Sequence, residues 1–145
     1  MTVQVLIVEP RPTAVIAEAT TWQSFTERWA PLLDEVWAAV RGNDDVAPGR
    51  NVMLYKDDVP HVEVGVEARG PFSPIGRVTP SRLPGGRVAT ATHRAPFEQV
   101  GETHDEIVRW CDANGYERLG PRWEVYGHWD EQAPQPLVDV FYLVR

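Results

Sequence analysis

The pattern strand, helix, strand runs through this chain twice, so any fold it adopts has to seat two such units. Val15 to Tyr55 carries the first and Val88 to Tyr126 the second. Trp37 and Trp110 fall at matching places near the ends of the two helical stretches. Gly49 answers to Gly120, and Tyr55 to Tyr126, at one common spacing. The first half starts with an apolar strand over 3–8 and a second short strand over 13–19. Phe25, Trp29, Leu32, Leu33, Val36, Trp37 and Val40 then recur at helical spacing. Pro31 interrupts that stripe, so the helix either kinks there or begins its regular part there. Gly42 is a natural stop. Segments 51–55 and 61–68 read as a hairpin, in which Val62, Val64 and Val66 alternate with Glu63, Gly65 and Glu67, giving one wet face.

Residues 70–74 link the halves, and Phe72 in so short a link implies that the halves pack together. The second half predicts a strand over 76–83, a tight turn at Pro84, Gly85 and Gly86, and a strand over 87–93. Pro96 opens a helix whose start suits Glu98 and Glu102, and Asn114 and Gly115 end it. Phe97, Val100, Ile107, Val108 and Cys111 form its apolar stripe. Segments 122–129 and 137–144 close the chain as a hairpin around a polar loop, 130–136. The expected fold class is α+β: duplicated strand–helix–strand–strand modules forming a mostly antiparallel sheet, with two main helices on one face and a groove at the pseudo-dyad. One domain spans 1–145, with halves of about 1–69 and 76–145, as a chain of 145 residues allows.

Strand alternation points to where chemistry would sit. Trp123 and Val125 face one way, toward the expected helix layer, and Glu124, Tyr126 and His128 face the other. The same logic puts Val52 and Leu54 inward and leaves Met53 and Tyr55 on Glu124's side. If the halves meet across a dyad, these faces share a groove holding one carboxylate, two phenols and a thioether. Such a groove suits a flat, lipophilic cation, through stacking, cation–π attraction and charge neutralisation. The alternative is a solvent-facing Glu on an ordinary strand. A sheltered Glu also has a raised pKa and can act as general base toward water, with a nearby phenol polarising the electrophile. These residue types do not separate binding from hydrolysis.

Other functions find less support. The formal net charge of −7 and the lack of a basic run make direct nucleic-acid binding unfavourable. No apolar run approaches the ~20 residues that span a bilayer, and the N-terminal stretch reads as a strand rather than a leader. A single cysteine, Cys111, precludes an internal disulfide and suits a reducing cytoplasm. His104 and Cys111 share a helix face but stand roughly 10 Å apart along its axis, too far for a nucleophile–base pair. His61, His93, His104 and His128 show no metal-ligand spacing, so neither a metal nor a cofactor is expected.

Leu83-Pro84-Gly85-Gly86-Arg87-Val88-Ala89, followed by His93-Arg94-Ala95-Pro96-Phe97, resembles the second-half signature of GyrI-like domains. Trp110, Asn114-Gly115, Gly120-Pro121 and Glu124-Val125-Tyr126 continue the resemblance in order. It covers most of 76–145, and the repeated plan extends it along the chain. The resemblance implies two related modules around a ligand groove, as in the effector-binding part of multidrug-sensing regulators. There an acidic residue corresponding to Glu124 meets cationic, lipophilic drugs inside an aromatic pocket. Some stand-alone relatives are hydrolases that open cyclopropane-bearing genotoxins, and another inhibits DNA gyrase. Two departures stand out: Ala95 replaces the usual Gly and Phe97 the usual Tyr. No DNA-binding segment precedes Met1, so a stand-alone domain is expected.

The resemblance therefore implies partners that are hydrophobic or cationic aromatic small molecules. Glu124 would be the charge partner, with Tyr126, Tyr55, Met53 and Phe97 as walls and Trp22, Trp37 and Trp110 as further aromatic surface. In a hydrolase, Glu124 and Tyr126 would be catalytic. A protein-interaction module of the gyrase-inhibitor kind is the third expectation.

Overall fold

The computed structural model of the protein describes residues 2–127 and 137–145. The chain order is β1 (Gln4–Val8), β2 (Arg11–Ala19), α1 (Trp22–Val40), β3 (Asn51–Tyr55), β4 (His61–Glu67), β5 (Thr79–Leu83), β6 (Gly86–His93), α2 (Val100–Asn114), β7 (Arg118–Tyr126) and β8 (Val138–Val144). A short 3₁₀ turn, Phe97–Gln99, leads into α2. The strands form one antiparallel sheet in the order β1-β6-β8-β7-β3-β4-β2-β5. The fold class is α+β, as the sequence implies.

Both helices form for legible reasons. The Thr21 hydroxyl accepts the Ser24 N–H at 3.0 Å, capping α1. The helix then runs through Pro31 without stopping, neither ending nor starting there. Phe25, Leu32, Val36 and Val40 are its buried stripe. On α2, Thr103, Ile107 and Cys111 recur every fourth residue and are buried. Gly115 ends α2 in the left-handed conformation, φ 75°, where a side chain would be strained. The helix starts at Val100 rather than at Pro96, which instead precedes the 3₁₀ turn. α1 packs over β2 and β4, and α2 over β6 and β8. Among the described residues no helix is long and apolar enough to cross a membrane.

The expected side assignment for β7 is reversed. Met53, Tyr55 and Tyr126 lie in the core that holds the helix residues Phe25, Leu32 and Ile107. Trp123 and Val125 turn away from the helices and join Val15, Val52, Leu54, Leu83 and Val88 in a second core. Alternation settles that Trp123 and Glu124 oppose each other. It does not settle which side receives the helices. The sheet instead buries its back against its own edges. At Gly65 an added Cβ would lie 1.9 Å from the Ala14 carbonyl oxygen. Only a residue without a side chain permits that approach of β4 to β2.

The supposed wet face of β4 is also absent around Glu63, which is 5% exposed. Its carboxylate accepts from Ser81 Oγ at 2.6 Å and pairs with Lys56 Nζ at 2.5 Å. Strand 76–83 begins later than expected, at Thr79, because Ile75 and Val78 pair with each other around a turn. Strand 122–129 begins earlier, at Arg118, and its expected end and the loop 130–136 fall outside the described residues.

Candidate functional site

β3 and β7 meet at the middle of the sheet with Met53 opposite Glu124 and Tyr55 opposite Arg122. That register gathers the side chains which alternation had placed on two separate strands. The Glu124 carboxylate is buried, 3% exposed, beneath the helices. Tyr55 O–H and Tyr126 O–H both donate to its Oε1 at 2.8 Å. His104, on α2, donates from Nε2 to Oε2 at 2.6 Å. The carboxylate is an acceptor only, which puts the proton on Nε2 of the imidazole. Tyr142 Oη lies 2.7 Å from His104 Nδ1. Three donors offset the cost of burying the carboxylate.

The phenols remain donors at ordinary pH. Burial pushes Tyr55 well above the usual phenol range, and the Glu124 charge pushes it further. Tyr126 rises for the same two reasons. Burial carries Tyr142 up to about 12.

Aromatic rings enclose this polar centre. Trp22 lies 5.4 Å and Phe25 5.5 Å from Tyr55, between ring centroids. Phe97 lies 5.8 Å from Tyr126, and Trp29 is 5.7 Å from Phe97. A cavity of about 160 Å³ opens beside this centre, lined by Trp29, Leu33, Asn51, Met53, Phe97 and Tyr126; Glu124, Tyr55 and Trp22 are not in its lining. At the other flank the Arg122 guanidinium sits 5.3 Å from the Trp22 ring and donates to Asp58 at 2.8 Å.

Glu124, Tyr126, Tyr55 and Met53 are thus adjacent, with Phe97 and Trp22 beside them. Trp37 and Trp110 are elsewhere. Trp37 donates to Asn51 Oδ1 at 2.8 Å, and Trp110 stacks on Tyr116 at 5.4 Å. Neither lines the cavity. Trp37 thus reaches the cavity only through Asn51, which lines it. His128 lies outside the described residues. Among the described residues no three His, Cys, Asp or Glu side chains are grouped to hold a metal ion.

His104, Tyr142, Phe25 and Trp29 were not anticipated as parts of this centre. A signal for His104 existed: it completes the α2 stripe between Val100 and Ile107. Tyr142 shares strand parity with the buried Val138, Val140 and Val144. Nothing local joins either residue to Glu124.

A larger depression of about 660 Å³ lies away from this centre, beside Thr90, Thr92, His93 and Arg94. Its buried polar groups bond within the protein. His93 reaches Thr103 Oγ1 at 2.7 Å and the Pro96 carbonyl at 2.9 Å, and Thr92 donates to Asp139 at 2.7 Å. Size alone favours that depression; an enclosed carboxylate with converging donors favours Glu124.

The family described as "GyrI-like small molecule binding domain" matches residues 1–141. Among solved structures, the C-terminal domain of EcmrR is similar with a TM-score of 0.77 and 16% identity, over 99% of this chain and 97% of that one. SAV2435 bound to tetraphenylphosphonium is similar with a TM-score of 0.65 and 13% identity, over 100% and 94%. A hydrolase from Listeria innocua is similar with a TM-score of 0.60 and 10% identity, over 99% and 91%. At such identities the likeness is one of fold. No curated protein matches the sequence.

Proposed function

The chain belongs to the GyrI-like small-molecule-binding family, and on that premise we propose that it captures lipophilic, cationic aromatic molecules above β3 and β7. Glu124 is the charge partner on this reading. The observation that carries it is a buried carboxylate held by three donors and enclosed by rings. A cation gains from that charge far more than in water, because the surroundings are apolar. The rings add stacking and cation–π attraction.

The cavity sets a condition. Drug-sized ligands occupy roughly 300–1,000 Å³, and about 160 Å³ is open. Ligand entry therefore parts Trp29 on α1 from Phe97 on the 3₁₀ turn. That contact joins a helix to a turn outside the sheet, so it yields without breaking strand pairing. The phosphonium bound to SAV2435, a protein of similar fold, supports this class of ligand.

The hydrolytic reading asks Glu124 to take a proton from water. Both its oxygens already accept from protein donors, so a water to be activated would have to compete with them for the carboxylate. Binding is accordingly the preferred conclusion. The test compares tetraphenylphosphonium with neutral triphenylphosphine oxide by calorimetry. The wild type prefers the cation, and Glu124→Gln loses that preference. Equal preference in both proteins removes Glu124 from its role. A new product in mass spectrometry, absent with Glu124→Gln, would restore the hydrolase.

A further inference from the structure

Glu124 already has a resident partner that can carry a charge of its own. His104 holds Oε2 through Nε2 at 2.6 Å, and its side chain is 17% exposed, so water and protons reach it. Resting on the cation-binding reading above, we propose that His104 is a specificity-determining residue through which the site exchanges a bound cation for a proton. With a neutral imidazole, the Glu124 charge is available to an incoming cation. With a second proton on Nδ1, His104 itself neutralises Glu124, and the cation loses its attraction.

The surroundings accommodate both states. Tyr142 Oη, 2.7 Å from Nδ1, donates to the neutral ring. When Nδ1 gains a proton, the hydroxyl turns and accepts, since a phenol does either. No backbone has to move. The groups around His104 are the Glu124 carboxylate and Tyr126 phenol on β7, the Tyr55 phenol on β3 and the Tyr142 phenol on β8. Arg122 on β7 stands opposite both Tyr55 and Tyr142 in the ladders and donates to Asp58. Asp105 follows on α2 itself. His93 on β6 is bonded to Thr103, the residue before His104. The phenols keep their protons, as burial has raised all three. His104 is the imidazole of this cluster, and imidazole is the side chain whose ordinary charge change falls between about pH 5 and 8.

Linkage makes the effect reciprocal: if a proton expels the cation, the cation expels a proton. The experiment measures tetraphenylphosphonium affinity in the full chain from about pH 8 to about pH 5, where imidazoles change charge. Cation affinity is expected to fall by up to about tenfold per pH unit at the acid end, while triphenylphosphine oxide binds alike throughout. In His104→Gln, whose amide can still donate to Glu124 but stays uncharged, cation affinity is expected to be flat with pH. Calorimetry in two buffers of different ionisation heat counts protons released on binding by the wild type, and this reading needs no variant. Tight binding that is flat with pH, without proton release, overturns the exchange and leaves the cation site standing. The same slope in His104→Gln assigns the proton to another group and also overturns it. Failure of the cation to bind the folded protein at any pH removes both readings together.

Discussion

Strand β7 serves two buried regions that differ in what holds them. On the helix side, Glu124 and Tyr126 enter a polar centre where four hydrogen bonds link five side chains. On the back, Trp123 stacks on Phe141 at 5.5 Å within a core of valines and leucines. The back core is stabilised by apolar area, about 25 cal/mol for each Å² withdrawn from water. The polar centre also buries aromatic area, and in addition it depends on every donor meeting an acceptor. Its aromatic cover of Trp22, Phe25, Trp29 and Phe97 stands on α1 and the 3₁₀ turn rather than in the sheet, which is where the proposed ligand would enter.

Four measurements break or sharpen that contrast. Trp123→Ala should cost the most, about 3–5 kcal/mol in urea unfolding, with cation affinity kept in the protein that remains folded. A lost affinity equal to that of Glu124→Gln would mean that the two faces are not separate.

Next comes Tyr126→Phe, which removes one donor from a buried carboxylate and should cost about 1–3 kcal/mol. Its cost should be non-additive with that of Tyr55→Phe in a double-mutant cycle, since both phenols share Oε1. Additive costs would deny the shared centre.

The third concerns Glu67, whose carboxyl lies at about 2: burial raises it, but hydrogen bonds from Arg50 and Arg11 outweigh that. Its folded value is below the usual carboxylate value of 4.5, so its contribution is present above 4.5 and is lost as pH falls toward 2. The urea midpoint should drop over that interval, and Glu67→Gln should flatten the drop without altering the cation site. The smallest effect is expected from Trp110→Phe. Trp110 stacks on Tyr116 away from Glu124, so cation affinity should stay within about twofold of wild type. A large loss would restore the role that its aromatic character first implied.

Much of the fold was legible along the chain. The stripe from Phe25 to Val40 marked α1, and the turn at Pro84, Gly85 and Gly86 separated β5 from β6. Less of the site could be read. Trp37 and Trp110 were included for being aromatic and repeated in position. For His104, neither the spacing to Cys111 on its own helix nor that to the other histidines points to Glu124. Its partner lies 20 residues away in sequence, on a strand.

The sequence alone determined which residues travel together on a strand: Met53 with Tyr55, and Glu124 with Tyr126. Alternation follows from the covalent geometry of an extended backbone and needs no partner. Tertiary structure decided the rest. It set Met53 opposite Glu124, turned that face toward the helices, and brought Tyr55, 69 positions away, onto the carboxylate. Those choices depend on pairing between distant segments and on how the sheet closes its own back. No periodicity within a single segment contains either.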